Sequence, residues 1–277
     1  MKFTTIGRAT KETVLSYLGS VNNSSKLMKN GKVSNQLTYG LYLAPARVSG
    51  YNTCSHSTPE CRMGCLNTSG RAGIEANCNR TPIANARIKK TKLFFEYTAF
   101  FMEWLIADIR ANQLKAIKSD MGFSARLNCT SDIDWQNVFV EGKNIFSIFP
   151  DVQFYDYTKN ANKFNNLPAN YHLTYSYTGR NWELCEALLQ RGHNVAMVFD
   201  VKSENDLPKY VGQYQVVNGD LTDYRIDDAK GIIVGLKWKR IANRENEKKI
   251  LNSCFVVRPD EVGLPFELVN AQDLVEV

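Results

Sequence analysis

The chain of 277 residues is 44% hydrophobic, enough to bury a substantial core as one large domain or two smaller ones. Its 34 Lys and Arg against 28 Asp and Glu leave a net charge of +6, a mild excess that keeps nucleic acid among the candidate partners without marking the chain as a dedicated binder of it. There is no G-x-x-x-x-G-K-[ST] phosphate loop and no G-x-G-x-x-G fingerprint, which sets aside nucleotide hydrolysis and nicotinamide binding by those devices, and His56, His172 and His193 are the only histidines, which argues against a site built on several imidazoles.

In chain order, residues 1 to 36 are polar and loop-rich, with "GSVNNSSKLMKNGK" at 19 to 32, and read as a less regular amino-terminal extension. No apolar signal run opens the sequence, so the expectation is a soluble, cytoplasmic protein. "LTYGLYL" at 37 to 43 is the first convincing strand. A loop rich in Gly, Ser and Thr follows, "TCSHSTPECRMGCLNTSGRAGIEANC" at 53 to 78, which holds Cys54, Cys61, Cys65 and Cys78.

From about 84 to 118 the pattern predicts one long helical segment centred on "LFFEYTAFFMEWLIADI". Glu96, Glu103 and Asp108 inside that stretch argue against a membrane span and for burial of one face against a sheet. The basic runs "RIKKTK" at 87 to 92 and "KWKRIANRENEKK" at 237 to 249 read as solvated helix faces.

Short apolar runs follow at intervals: "FSARLN" at 123 to 128, "VQFYDY" at 152 to 157, "YHLTYS" at 171 to 176, "VAMVFD" at 195 to 200, "YQVVN" at 214 to 218, "IIVGL" at 232 to 236 and "CFVV" at 254 to 257. Helix candidates lie between them, among them "NWELCEALLQRG" with Gly192 as its carboxyl-terminal cap, and "RIANRENEKKIL". Alternation of this kind predicts an α/β fold with a parallel sheet. Together with "LTYGLYL" the runs number eight, which predicts a single TIM-barrel-like (β/α)8 or partial barrel over 1 to 277, with an open doubly wound sheet as the alternative.

Polar groups recur where these runs end: Arg126, Asn128, Ser131 and Asp132, then Asp156, Ser176, Asp200, Asp220 and Lys237. Ligands of α/β proteins bind at the carboxyl ends of strands, so Arg126, Asn128, Ser131, Asp132, Asp156, Asp220 and Lys237 are substrate-binding candidates, for a small molecule or nucleic acid. Taken singly, each of these types is also a common turn former or helix cap. Arg126 and Asn128 alternate on one side of their strand, and Asp132 is a candidate anionic partner for Arg126.

The cysteine spacing C-x6-C-x3-C-x12-C contains no C-x2-C knuckle of the sort zinc ribbons use. Reducing cytosol disfavours structural disulfides, so metal ligation by thiolates is the leading reading, with a 4Fe–4S cluster ahead of zinc and ahead of four unligated thiols. A cluster protein of this kind also calls for an electron donor. Cys129, Cys185 and Cys254 stand singly in or beside predicted elements and read as non-ligands.

"CSHSTPECRMGCLNTSGR", followed in order by "RLNCTSDIDW", "FYDYTK", "VVNGDLTDYR" and "IIVGLKWK", resembles a phage-encoded family of radical-SAM-like TIM-barrel iron–sulfur proteins over about residues 37 to 258. The resemblance implies that Cys54, Cys61 and Cys65 hold the cluster at the barrel mouth, that S-adenosylmethionine (SAM) is a candidate cofactor, and that the protein acts in a host cytoplasm. The loop departs from the usual C-x3-C-x2-C, and "RLNCTSDID" stands where a Gly-Gly-Glu segment commonly holds SAM. Cys78, if it is the fourth ligand, leaves no iron open to SAM. An enzyme and a non-catalytic, cluster-stabilised binding protein both remain open.

Overall fold

A computed structural model of the chain describes residues 18–19, 34–65, 81–241 and 243–261. In chain order its elements are β1 (Leu18–Gly19), β2 (Gln36–Leu41), α1 (Pro59–Met63), α2 (Pro82–Glu96), α3 (Thr98–Lys118) and β3 (Gly122–Arg126). After these come β4 (Phe139–Val140), β5 (Lys143–Asn144), α4 (Ile145–Ile148), β6 (Gln153–Thr158), β7 (Tyr171–Ser176), α5 (Trp182–Gln190) and β8 (Asn194–Phe199). The series ends with β9 (Tyr210–Val211), β10 (Tyr214–Asn218), β11 (Ile233–Lys237), α6 (Arg244–Leu251) and β12 (Val256–Val257). The fold is mixed α/β with a mostly parallel sheet, as the alternation of runs predicts. No helix among the described residues is long and apolar enough to cross a membrane.

The chain divides into two compact units. The first takes the described residues of Met1–Ser55, Glu75–Asp156 and Asn166–His172. Its strands run in the order β1-β2-β3-β6, antiparallel at β1 and parallel thereafter. Parallel neighbours need crossover connections, and between β2 and β3 the chain supplies α2 and α3. Thr81 caps α2 by accepting from Ala84 N (3.0 Å), and Pro82 opens its first turn, where no amide hydrogen is needed. Phe101, Met102, Leu105 and Ile109 of α3 are fully buried, as are Leu41 and Ala125 on the strands α3 packs against.

The long helix expected over 84 to 118 is instead two helices, broken at Tyr97, whose backbone turns to φ −141° and ψ 55°. No Gly or Pro marks the break. It lets Phe94 of α2 meet Phe101 of α3 edge to face, with ring centroids 5.3 Å apart, and both rings are buried. The expected irregular stretch 1 to 36 lies largely outside the described residues.

The second unit takes the described residues of His56–Ile74, Tyr157–Asn165 and Leu173–Val277. Its strand order is β7-β8-β11-β10-β9, parallel except at β9. β11 pairs with β8 from Val195 to Phe199, so β12, which pairs in parallel with Val198 and Phe199, must take the edge that β7 vacates after Ala196. Among the described residues neither unit's strands close on themselves. Val195, Met197, Phe199, Ile233 and Val234 are wholly buried, and α5 lays Cys185, Leu188 and Leu189 on β8. A satellite cluster joins Ile241, Ile250, Phe255 and Val256 to Cys61, Met63 and Trp238.

Candidate functional site

In the first unit the carboxyl ends of β2, β3 and β6 carry one polar network. Asp156, 1% exposed in β6, accepts from Asn128 N (2.9 Å), Leu127 N (3.2 Å) and the Tyr171 hydroxyl (3.2 Å). Arg126 Nε lies 3.7 Å from the same carboxylate, and its guanidinium carbon lies 5.4 Å from the centre of the Tyr155 ring. Arg126 is thus paired with the Asp156 carboxylate. Burial and the charges of Asp156 and Asp132 push the Tyr171 phenol well above its usual range, so it stays protonated as the donor in this network.

Asn128 shapes the loop after β3. Its Oδ1 accepts from Ser131 Oγ (2.9 Å), Ile133 N (2.9 Å) and Trp135 Nε1 (3.2 Å), and its Nδ2 donates to the Ile133 carbonyl (3.0 Å). Asn128 and Ser131 are thus spent on each other, on Trp135 and on the Ile133 backbone, within their own loop. That loop is also bonded to the one after β2: Cys129 N donates to the Leu41 carbonyl (3.2 Å), Thr130 Oγ1 to Leu43 (2.6 Å) and Asp132 N to Thr53 (2.8 Å). Thr53 directly precedes Cys54, whose Sγ accepts from Ala46 N at 3.4 Å.

In the second unit Asp220 and Lys237 come together. Asp220 Oδ2 accepts from Lys237 N (2.8 Å), and its Oδ1 lies 3.6 Å from Lys239 Nζ. The Lys237 ammonium donates to the Lys202 carbonyl. These bonds tie the turn after β10 to the end of β11, a structural office for both residues.

Cys54, Cys61 and Cys65 are half-buried, and Cys78 lies outside the described residues. Among the described residues no three His, Cys, Asp or Glu side chains gather around one point as a metal ion requires. The N–H···S bond to Cys54 is of the kind that orients a sulfur, and in the second unit Trp238 Nε1 is buried with no hydrogen-bond partner where Trp238 meets Gly64. Cys61 sits on the one-turn helix α1, capped by Thr58 Oγ1 accepting from Cys61 N (3.2 Å), and Gly64 N closes the turn on the Glu60 carbonyl (2.8 Å). Cys185 is fully buried and its thiol is pushed up by desolvation, as expected of a core cysteine. His193 is shifted downward by burial, with Arg191 and Lys230 adding to it, and its ring packs on Phe164, as a structural histidine does.

Sequence reasoning missed Lys90. "RIKKTK" reads as a solvated face, yet Lys90 is 8% exposed and its ammonium is lowered to about 8, first by desolvation and then by Arg87, against smaller opposing effects of Cys129 and Asp108. The signal was present: Lys90 stands four residues before Phe94, on the same helix face. Next to it Thr91 Oγ1 accepts from Ala44 N (2.8 Å), pinning α2 to the segment after β2.

Searches among curated proteins and among solved structures found no match. A family model, described as gene product 88, matches residues 15–253. That span takes in β2, Cys54, Cys61 and Cys65, the loop after β3 and the strands as far as β11, so the chain belongs to the gene product 88 family, a family of phage type.

Proposed function

We propose that this protein is a phage-type iron–sulfur protein, an enzyme of radical-SAM-like architecture built on a barrel or partial barrel. Cys54, Cys61, Cys65 and Cys78 are its cluster ligands, and Arg126 and Asp132 face its substrate. The observation that carries this reading is the bonding of the Cys54 loop to the Arg126–Asp132 loop at the carboxyl ends of adjacent parallel strands, where α/β proteins bind their ligands. A 4Fe–4S cluster there supplies one-electron transfer, and an iron without a fourth thiolate would also chelate SAM. The guanidinium of Arg126, backed by Asp156 and set over Tyr155, suits an anionic substrate group such as a carboxylate or phosphate. The partners this reading requires are that substrate and an electron donor in the host cytoplasm.

The test is anaerobic purification with iron and acid-labile sulfide analysis. Brown protein with about four of each per chain is expected. Cys54→Ser, Cys61→Ser and Cys65→Ser should each lose the cluster, while Cys185→Ala keeps it. Colourless protein with stoichiometric zinc would overturn the reading. With Cys78 as the fourth ligand, SAM leaves the electron paramagnetic resonance (EPR) spectrum of the reduced cluster unchanged; a SAM-induced change would assign an open iron instead.

A further inference from the structure

In the first unit the loop after β2 folds back on itself through two backbone bonds, Val48 N to the Pro45 carbonyl (3.1 Å) and Gly50 N to the Arg47 carbonyl (3.0 Å). Gly50 takes φ +94° there, a conformation that a side chain would resist. Thr53 Oγ1 closes the loop on the Ala44 carbonyl (2.7 Å), and Ser49 Oγ accepts from Tyr51 N (3.3 Å). Tyr51 is thereby held on a fixed turn. Its ring lies parallel to that of Phe95, with centroids 4.6 Å apart and planes 5° from each other. The helix break that turns Phe94 into the core leaves Phe95 37% exposed and Tyr97 57% exposed.

Positive charge surrounds these rings. Residues 42 to 53 and α2 together carry Arg47, Arg87, Lys89, Lys90 and Lys92 against a single acid, Glu96, a surplus of four in a chain whose net charge is +6. Glu96 is engaged inside the platform, where its Oε1 accepts from the Tyr51 hydroxyl (3.1 Å). Arg47, Lys89 and Lys92 are exposed, and Lys92 stands one turn before Phe95 on the same helix face. The platform adjoins the loop after β3, since the Thr53 carbonyl accepts from Asp132 N (2.8 Å) and Phe94 meets Trp135 with centroids 5.2 Å apart.

Rings held open among cations suit a polyanion that carries flat groups of its own. A second copy of the chain would bring the same positive charges face to face. A duplex already stacks its bases on one another and leaves such rings little to cover. We propose that this surface binds single-stranded nucleic acid, with a base stacked on the exposed ring of Phe95 and phosphates meeting Arg47, Lys89 and Lys92. The inference stands apart from the cluster reading, because none of the side chains it uses is a proposed cluster ligand.

The experiment titrates the full chain into fluorescein-labelled strands of about 20 nucleotides, longer than a single site, and reads anisotropy at low salt. One probe is oligothymidylate and the other a phosphate chain of the same length without bases. Wild type should bind oligothymidylate roughly tenfold more tightly than the abasic strand. Phe95→Leu, which keeps an apolar side chain and removes the ring, should abolish that preference. Lys92→Glu should weaken both probes and flatten the dependence of affinity on salt. Equal binding of the two probes by wild type, or none, would overturn the proposal, as would a folded Phe95→Leu that still prefers bases. Should Phe95→Leu lose its native circular dichroism, the two probes on wild type decide. Self-association in light scattering without strand binding would assign the rings to a second copy instead. Protein found to carry zinc or no metal leaves each of these outcomes as it stands, so the cluster reading can fail separately.

Discussion

Burial of Lys90 in α2 sets its stability contribution against its charge. With the folded-state ammonium at about 8 and the unfolded one near its ordinary 10.5, the unfolded chain binds more protons between those two values. Stability attributable to this residue therefore rises with pH across that window and is lowest, by on the order of 3 kcal/mol, below it. Lys90→Met should be more stable than wild type to urea at pH 7, with the gap closing towards pH 10; a gap that does not change with pH would refute this account. The residue scale is also where the sequence was least legible. Arg126, Asn128, Ser131, Asp132 and Asp156 stand out as polar groups ending apolar runs, but spacing does not tell which carboxylate meets Arg126 or that Asn128 is consumed by its own loop. The first depends on segments about 30 residues apart and the second on how a single loop closes, and neither leaves a periodic mark.

All eight expected strands are present, seven of them five or six residues long and the last, β12, cut to Val256–Val257. The elements that were missed are short: the two-residue strands β1, β4, β5 and β9 and the helices α1 and α4 of about one turn, all too brief to leave a clear periodicity. The helix break at Tyr97 was equally silent, since it is imposed by the meeting of Phe94 and Phe101 and not by a breaker residue. The end of α5 was readable. Gly192 takes φ +81°, its N–H donates to the Leu189 carbonyl (2.9 Å), and His193 N donates to Leu188 (2.9 Å), which together satisfy two carbonyls of the last turn. Gly192→Ala has space for its methyl, with Lys230 Cβ 3.8 Å away, so its cost is the backbone alone. A loss of about 1 kcal/mol in denaturant unfolding is expected, with far-ultraviolet circular dichroism unchanged.

For the molecule as a whole, the mostly parallel sheet follows from the alternation of strand and helix that the sequence displays. Ligand chemistry is less legible at this scale, since four cysteines in one loop admit several metals and their geometry depends on the fold around them. A cluster that binds only the folded chain must stabilise it. Anaerobically loaded protein should melt several degrees above the same protein stripped with a chelator, and reloading with iron and sulfide should restore the difference. Identical melting of loaded and stripped protein would place the metal outside the folded framework.

The family match ends at residue 253, yet Val256 and Val257, three and four residues further on, complete the edge of β8 beyond β7. Phe255 and Val256 also form half of the apolar cluster that Cys61 and Trp238 share. A ribosome that stopped just short of them would release a chain with an open strand edge and a bared greasy patch beside the cysteines, the combination that pairs with its neighbours and precipitates. The last matched residue is therefore not the last one the second unit needs, and a copy cut after 253 is expected to aggregate where the full sequence stays dispersed in light scattering.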